Sequence, residues 1–304
     1  MADAEPDAAE GRLLVLGAGT MGAQIAQQAA LHGVEVELVD SVAAQLDRAL
    51  GENRRLLLGR VARGRLDAEA AEAALDRVHP TGDLAGAAAS CDWAIEAIVE
   101  RVRAKREVFA ELDAHLPPHA GIATNSSNIR SSRLADATSR PAQVLNMHFF
   151  HPVLVMDVCE VVRGPHTSAE YAALGVAWSR RMGRTPVLIE KETDGFVVNR
   201  VLGAASREAF ALLAGGVADA ASIDTAVKLG LNWRMGPFEL ADFSGLDTVL
   251  NVRRDRAELE GAEGDRQTVA LLERLVAAGR LGRKSGRGFY DWSTTPPTPL
   301  PLDE

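Results

Sequence analysis

The sequence contains little cysteine, no long apolar run and no excess of basic charge. Its two cysteines, Cys91 and Cys159, lie far apart in a chain of 304 residues, which argues against a disulfide framework and favours a reducing compartment. No apolar stretch is long enough to span a bilayer, and a net charge of −9 argues against broad electrostatic capture of nucleic acid. We therefore expect a cytoplasmic protein with neither a membrane nor a nucleic acid as its partner.

The two ends of the chain differ in composition from the rest. Met1–Glu10 is acidic and rich in alanine, unlike a signal or transit peptide, and we expect a frayed tail there. The proline-rich stretch after Trp292 is expected to be loose as well. The whole chain has an ordinary apolar content of 47%, and its length corresponds to about two domains.

Short apolar runs alternate with helical patterns through the first part of the chain. The predicted strands are 12–17, 35–40, 93–98, 121–124, 144–149, 158–162 and 185–189. Helical patterns lie between several of them, which predicts an α/β fold over residues 1–192: a Rossmann-type, doubly wound parallel sheet. Residues 193–304 keep the helical pattern without a convincing strand, so we predict an all-α C-terminal domain.

A glycine-rich turn directly follows the first predicted strand and opens a helix. Gly17, Gly19 and Gly22 fit the pattern G-x-G-x-x-G in the context that this pattern requires for binding a dinucleotide. Gly17 permits a tight turn, Gly19 lets the backbone approach a pyrophosphate, and Gly22 allows the helix to pack closely on the strand. We predict that this turn, with Met21 inside it, holds NAD at the positive end of the helix.

Asp40 ends the second predicted strand, 18 residues beyond Gly22. An acid in this position accepts hydrogen bonds from the adenosine ribose hydroxyls and would repel a 2′-phosphate, so NAD is favoured over NADP. Two alternatives stay open. The turn could be a glycine-rich connection without a ligand, and Asp40 could cap the helix that begins near Val42.

His148 and Glu160 are the candidate catalytic residues. Oxidation of a secondary alcohol by NAD needs a base that titrates near the working pH, and a carboxylate behind a histidine fixes its tautomer and stabilises the imidazolium. His148 ends one predicted strand and Glu160 lies in the next, with a turn at His151-Pro152 that could bring them together. The alternative, a satisfied histidine and a solvent-facing glutamate, stays open on the residues alone.

Five segments resemble, in order, the signatures of the L-3-hydroxyacyl-CoA dehydrogenase family. They are 124–129 (TNSSNI), 148–160 (HFFHPVLVMDVCE), 194–200 (DGFVVNR), 235–242 (MGPFELAD) and 281–290 (LGRKSGRGFY). With the glycine turn they extend from Gly17 to Tyr290, nearly the whole chain. The resemblance implies NAD-dependent oxidation of a (3S)-3-hydroxyacyl thioester, carried by CoA or by an acyl carrier protein, in a homodimer built through the helical domains.

The resemblance also implies a role for each matching residue. His148 is implied as the general base and Glu160 as its orienting partner, while Ser127 and Asn199 are implied to donate hydrogen bonds to the substrate oxygens. The residues implied to contact the cofactor or lie beside it are Glu100, Lys105, Asn125 and Lys284.

Each of these residues also has an ordinary structural interpretation. Ser127 could cap a helix near Ser131, and Asn199 could be a polar packing residue within its helix. Glu100 and Lys105 could form an exposed ion pair of little energetic value.

Departures from the family pattern lie close to the implied catalytic histidine. His151 replaces a common asparagine and Asp157 a common lysine, so the acyl group stays open although the reaction class does not change. A basic stretch bears on the identity of the acyl carrier: Arg54, Arg55, Arg60, Arg63 and Arg65. These arginines, with Arg63 as the substrate-binding candidate, could meet the phosphates of CoA, the acidic face of an acyl carrier protein, or only solvent.

Other functions remain as alternatives. A metal site at His148, His151 and Cys159 is not expected, because the H-x-x-H spacing lies on a strand and a turn without further ligands. The same chemistry on an acyl-carrier-bound or free hydroxyacid stays open. So do a β-hydroxyacid dehydrogenase, which would use a lysine of its helical domain, and an NAD-binding protein without catalytic activity.

Overall fold

The computed structural model describes residues 11–260 and 263–302. The chain forms two compact units, of which the first ends at Val197 and the second begins at Val198. The expectation of a frayed N-terminus concerns Met1–Glu10, which lie outside the described residues.

Within the described part of the first unit, eight strands form one sheet in the order β3-β2-β1-β4-β5-β6-β7-β8. The strands are β1 (Leu13–Leu16), β2 (Val36–Val39), β3 (Val78–Thr81), β4 (Trp93–Glu96), β5 (Gly121–Thr124), β6 (Val144–Phe149), β7 (Val158–Val162) and β8 (Thr185–Ile189). The order reverses beside β1, so the predicted doubly wound fold is confirmed, and the glycine turn after β1 lies at the place where such sheets bind ligands.

The sheet is parallel except where β6 meets β7. These two strands pair antiparallel, with His148 opposite Glu160, whereas β7 and β8 run parallel to each other. The β6–β7 pair is the exception to the predicted parallel sheet, because the connection between these strands contains no helix. Antiparallel strands can be joined by a short link, whereas parallel neighbours need a crossover.

Helices cover both faces of this sheet. They are α1 (Thr20–Leu31), α2 (Ala43–Val61), α3 (Ala68–Asp76), α4 (Leu84–Ala88), α5 (Val102–His115) and α6 (Ala169–Arg181). Since successive side chains of a strand point to opposite faces, Leu13 packs with the core of α1–α3 and α6, and Leu14 with the core of α4 and α5. This explains why β1 is an uninterrupted apolar run, as is typical of a buried parallel strand.

The sequence did not predict β3 or α4. β3 contains His79 and Pro80, so it lacks an apolar run, and it lies at the edge of the sheet, where a proline is tolerated. α4 is only five residues long and begins at the N-cap Asp83.

The second unit is helical, as predicted. Its elements are α7 (Val198–Ala214), α8 (Ala220–Leu231), α9 (Pro237–Ser244), α10 (Leu246–Glu260), α11 (Glu263–Ala277), β9 (Tyr290–Asp291) and β10 (Thr298–Pro299). The core contains the rings of Phe210, Phe238 and Phe289, whose centroids lie 4.8–5.8 Å apart. The small β9–β10 pair is an addition that the sequence did not predict.

Two buried carboxylates explain why the second unit contains the motifs MGPFELAD and GRGFY. Asp242 accepts hydrogen bonds from the backbone N–H groups of Phe289 and Tyr290 and from Trp292 Nε1, each at 2.9 Å. Asp224 accepts from the N–H groups of Phe238 and Glu239, also at 2.9 Å. Charge-assisted hydrogen bonds therefore join these motifs to each other and to α8 around the core of the second unit.

The proline-rich stretch after Trp292 is held in place as far as residue 302, so the expectation of a loose tail is wrong there. β10 pairs with β9, and Leu300 N–H donates to Phe289 O at 2.9 Å. Arg280 Nη1 donates to Pro301 O at 2.8 Å. Backbone groups of this segment thus find partners that its composition does not reveal.

Candidate active site

The glycines of the turn after β1 occupy positions that differ in the space around them. Gly17 has φ +104°, and a Cβ there would lie 2.7 Å from Ala97 O. A Cβ on Gly22 would lie 1.8 Å from Gly17 O, so this position requires glycine for the helix to approach the turn. Gly19 has open space where its Cβ would point. The turn is therefore tight at Gly17 and Gly22 and accessible at Gly19.

The N-terminus of α1 is free of a side-chain cap. α3 and α6 are capped by Asp67 and Ser168, but α1 starts after Gly19, which has no side chain, and its first turn contains no acid. The first N–H groups of a helix have no partner within the helix and carry partial positive charge. This end of α1, beside the open space at Gly19, fits a diphosphate.

Asp40 follows β2 and is fixed by two backbone donors. Ala18 N–H donates to Oδ2 at 2.8 Å and Val42 N–H to Oδ1 at 2.9 Å. Asp40 is not the N-cap of α2, since that position is Val42. One further acceptor direction on each oxygen is left for a ribose hydroxyl, because each oxygen of a carboxylate can accept two hydrogen bonds.

Two pockets border the glycine turn. The first, of about 190 Å3, is lined by the ends of β1 and β2 with Gly17 and Asp40, and by Leu84 and Ile98. The second, of about 430 Å3, lies between the first turns of α1 and the side of α2, with His151 also lining it. The turn is thus bordered by a smaller pocket on the Asp40 side and a larger one on the His151 side.

His148 and Glu160 are in direct contact at the carboxyl end of β6. His148 Nδ1 lies 2.8 Å from Glu160 Oε2, and the side chain of Glu160 is 0% exposed. The interpretation of Glu160 as a solvent-facing residue is therefore wrong. A carboxylate at Nδ1 favours the tautomer that carries its proton there, which leaves Nε2 with the lone pair that a base needs.

The loop after β5 lies next to this pair. Asn125 Oδ1 accepts from Phe149 N–H at 2.9 Å, which joins the loop to the strand end that carries His148. Ser126 Oγ accepts from Ile129 N–H at 2.7 Å and so builds the turn. The short 3-10 helix Ser131–Arg133 has Arg130 at its N-cap and no side-chain cap, so Ser127 does not cap it and lies half-buried in the same loop.

Lys105 is buried rather than exposed. Its Nζ lies 2.6 Å from Glu96 Oε1 and 3.3 Å from Glu100 Oε2, and its side chain is 1% exposed. Glu96 also accepts from Thr124 Oγ1 at 2.8 Å, and Glu100 accepts from Ser126 Oγ. The interpretation of an exposed pair is wrong for Lys105, whereas the side chain of Glu100 is 41% exposed; both belong to a network that joins β4, α5 and the loop after β5.

Glu96 is a residue of this network that the sequence analysis missed. It ends β4, a strand whose four residues are all buried. A carboxylate at the end of an apolar strand was the available signal, since a buried charge requires a partner.

The remaining candidates belong to other elements of the chain. Arg63 is exposed just beyond the end of α2, whereas Arg54 and Arg55 are engaged in ion pairs with Glu72 and Glu52. The last two candidates belong to the second unit: Asn199 in the first turn of α7, and Lys284, which forms an ion pair with Asp247.

Two features of residues 11–260 and 263–302 bear on the possible classes of function. No group of three or more His, Cys, Asp or Glu side chains in these ranges is arranged to hold a metal ion. No helix in the same ranges combines the length and the apolar character that a bilayer crossing requires.

Comparison with protein families gives matches over both units. Residues 12–193 match the model described as 3-hydroxyacyl-CoA dehydrogenase, NAD binding domain. Residues 195–292 match the model described as 3-hydroxyacyl-CoA dehydrogenase, C-terminal domain. Together these matches include the glycine turn, the His148–Glu160 pair and the carboxylate-anchored motifs of the second unit.

Individual relatives agree with the family models. The chain is 41% identical to a probable 3-hydroxybutyryl-CoA dehydrogenase of Deinococcus radiodurans, over 91% of this chain and 99% of that protein. It is 38% identical to the human mitochondrial hydroxyacyl-coenzyme A dehydrogenase, over 91% and 90%. Among solved structures, the (S)-3-hydroxybutyryl-CoA dehydrogenase of Ralstonia eutropha matches with a TM-score of 0.83 and 36% identity, covering 94% of this chain and 100% of that one.

Proposed function

The chain belongs to the 3-hydroxyacyl-CoA dehydrogenase family, and we propose that it catalyses the reversible oxidation of a (3S)-3-hydroxyacyl-CoA to the 3-oxoacyl-CoA. It is an NAD-dependent oxidoreductase whose first unit contains the NAD-binding domain. The observation that supports the reaction most directly is the buried contact of His148 with Glu160, at the edge of the sheet where the glycine turn lies.

In the oxidation direction, His148 is the general base. Bound NAD supplies the hydride acceptor. As the hydride leaves C3, His148 Nε2 takes the proton of the 3-hydroxyl, and in reduction it returns this proton to the 3-oxo group. Glu160 keeps the proton on Nδ1 in place. Its negative charge also stabilises the imidazolium, because burial disfavours a charged ring that has no counter-charge beside it.

Ser127 and Asn199 are proposed as donors to the substrate oxygens. An oxygen that gains negative charge during hydride transfer is stabilised by donors that are already oriented. The half-buried hydroxyl of Ser127 lies in the loop that Asn125 joins to β6, which supports this role. Asn199, in the second unit, is assigned by its place in the matched motif.

The proposed cofactor residues include the glycine turn, Asp40 and the Lys105–Glu100 pair. Gly17, Gly19, Met21 and Gly22 form the turn at the uncapped end of α1, and Asp40 keeps acceptor directions for ribose hydroxyls. Because its ammonium lies between Glu96 and Glu100, Lys105 acts by holding Glu100 toward the nicotinamide ribose. Asn125 and Lys284 are proposed from their places in the matched motifs.

Arg63 and His151 are the residues proposed to meet the acyl carrier and the acyl group. Arg63 is exposed at the end of α2 and is proposed to meet a phosphate of CoA. His151 borders the larger pocket beside the turn, so its replacement of asparagine changes a surface that a substrate would meet.

We further propose a cytoplasmic homodimer formed through the second unit. Apolar side chains with high exposed fractions lie on its helices: Val201 58%, Leu229 82%, Leu231 62%, Phe243 42% and Val252 62%. A second copy that covered these side chains would remove apolar surface from water, which supports the proposal. Size-exclusion chromatography with light scattering tests the dimer, and a monomer at micromolar concentration contradicts it.

Initial rates of NADH oxidation with acetoacetyl-CoA test the proposed reaction. Acetoacetyl-acyl carrier protein and free acetoacetate are compared in the same assay, and CoA is assigned if kcat/KM is highest with acetoacetyl-CoA. Tight NADH binding without turnover of any substrate would support a non-catalytic NAD-binding protein. Full activity of the His148→Ala variant would instead point to the lysine-dependent β-hydroxyacid dehydrogenase type.

A further inference from the structure

The segment that ends the first unit is a tightly fixed turn. Glu192 Oε1 accepts from Ser131 Oγ at 2.5 Å and from Ser132 N–H at 3.0 Å, which anchors the start of the turn to the loop after β5. Phe196 N–H then donates to Thr193 O at 3.2 Å. The chain therefore reaches its last residues before α7 in a defined conformation.

Phe196 has an unusual backbone conformation within this turn. Its φ is +47°, next to Gly195 with φ +73°. A bulky residue rarely adopts the left-handed region, and such residues persist only where the surrounding structure holds them and concentrate at functional sites. Glycine adopts this conformation without strain, as Gly195 does, whereas a phenylalanine in the same conformation needs a reason.

The surroundings of Phe196 supply that reason. Its side chain is 1% exposed and packs with Val162 and Ile189, the last residues of β7 and β8. Its ring also contacts the imidazole of His148, with the centroids 5.7 Å apart and the planes inclined by 57°. The left-handed backbone thus directs an aromatic ring against the proposed base.

The next peptide group contacts the other member of the pair. Val197 N–H donates to Glu160 Oε1 at 3.0 Å, while Oε2 of the same carboxylate contacts His148 Nδ1 at 2.8 Å. One turn therefore touches the imidazole through a ring and the carboxylate through a backbone donor.

We propose that Phe196 is a positioning residue, which orients His148 through its ring and Glu160 through the Val197 N–H that its backbone directs. This inference rests on the proposed reaction, in which His148 and Glu160 transfer the proton. It makes the end of the first unit a part of the catalytic machinery, because a shift of the turn moves both members of the pair.

The alternative is a purely structural turn that joins the two units. Both interpretations predict that a change at Phe196 lowers thermal stability, so stability alone does not distinguish them. They differ in the state of the His148–Glu160 pair and in the relation of kcat to KM, and the first two tests below use those quantities, whereas the third tests the contact of the turn with Glu160 that the inference requires.

The first test compares Phe196→Leu with Phe210→Leu, a control in the second unit whose side chain is also 1% exposed. We expect Phe196→Leu to lower kcat on the order of 10–100-fold, the scale of a small misplacement of reacting groups, with the Kd of NADH and the KM of acetoacetyl-CoA nearly unchanged. Phe210→Leu keeps the wild-type kcat. Phe196→Tyr, which retains the ring, restores most of it. A wild-type kcat in Phe196→Leu, or an equal loss in both leucine variants, overturns the inference.

The second test is a double-mutant cycle with Glu160→Ala. If Phe196 acts through the pair, adding Phe196→Leu to Glu160→Ala lowers kcat much less than it does in the wild-type background, because the group it positions has been removed. The same factor in both backgrounds means that Phe196 acts independently of Glu160 and contradicts the proposal.

The third test needs neither a Phe196 variant nor turnover, so it remains decisive if the proposed reaction is wrong or the variants do not fold. Hydrogen exchange of the Val197 amide is measured in the wild-type full chain and in Glu160→Ala. We expect protection in the wild type and faster exchange in the variant, with the core amide of Val15 unchanged as the control. Equal exchange of the Val197 amide in both proteins contradicts the proposal.

Discussion

Lys105 and Glu96 form an ion pair that water scarcely reaches, with Nζ 2.6 Å from Oε1 and the two side chains 1% and 0% exposed. Removing one partner of such a pair leaves an uncompensated buried charge. We expect Lys105→Met to lower the free energy of unfolding by about 3–5 kcal/mol, measured by urea titration. The double variant Lys105→Met/Glu96→Gln is expected to regain part of this loss.

The control for this prediction lies on the same helix. Arg103 and Glu107 form an exposed ion pair, with side chains 93% and 63% exposed, so Arg103→Met is expected to leave the free energy of unfolding nearly unchanged. Similar losses in the two single variants would mean that the burial of Lys105 does not determine its energetic importance.

His148 and Glu160 are expected to affect catalysis and not cofactor binding. His148→Ala should lower kcat by about 10²–10⁴-fold, the usual contribution of a general acid or base, while the Kd of NADH measured by fluorescence stays the same. His119→Ala, which removes an exposed histidine whose Nε2 lies 2.9 Å from Asp92 Oδ1, serves as the control. A loss of NADH affinity in His148→Ala that equals the loss of kcat would contradict the assignment.

Gly19 and Gly22 are expected to differ when each is replaced by alanine. The methyl group of Gly22→Ala would lie 1.8 Å from Gly17 O, so this variant is expected to lose thermal stability. Gly19→Ala points its methyl group into open space and is expected to melt like the wild type but to bind NADH weakly, because the methyl group occupies the approach of the diphosphate. Tight NADH binding by Gly19→Ala would place the diphosphate elsewhere.

Asp40 is expected to determine the preference for NAD over NADP. Asp40→Asn removes the charge that repels a 2′-phosphate but keeps an oxygen for Ala18 N–H or Val42 N–H. We expect the ratio of kcat/KM with NADPH to that with NADH to rise on the order of tenfold. Asp136→Asn, a change at the surface ion pair that Asp136 forms with Arg106 of α5, should leave the ratio as it is.

The two cysteines are expected to be unreactive in the folded protein. Burial raises the pKa of both the Cys91 and the Cys159 thiol to about 12. Since the thiolate is the nucleophile, it stays scarce until the pH approaches that value. An aromatic disulfide reagent at pH 8 should therefore release no chromophore from the native protein and two equivalents in guanidinium chloride. Rapid reaction of the native protein would contradict the burial of these thiols.

The sequence predicts those strands of the first unit that are apolar runs. The bounds of β5, β6, β7 and β8 agree with the predicted segments 121–124, 144–149, 158–162 and 185–189. β3 was missed because His79 and Pro80 interrupt its pattern at the edge of the sheet. The direction of β7 was also missed, because periodicity reports which residues are buried but not whether neighbouring strands run parallel.

The candidate site was predictable where residue type alone determines the chemistry. The glycine turn, Asp40 and His148 could be identified in this way. The carboxylate of Glu96 at the end of an apolar strand indicated a buried charge but not its partner, a lysine nine residues later, and the left-handed conformation of Phe196 depends on the packing around it. Tertiary contacts determine both, and no local pattern of residues reports them.

Asp242 has a consequence for the order in which the chain acquires its structure during synthesis. This buried carboxylate receives its donors from Phe289, Tyr290 and Trp292, which are made about fifty residues later. Until they leave the ribosome, Asp242 has to remain hydrated, and the helices around it cannot close. None of these residues belongs to the first unit, so we expect it to fold while translation is still under way, and the second unit to follow only after Trp292 has been made.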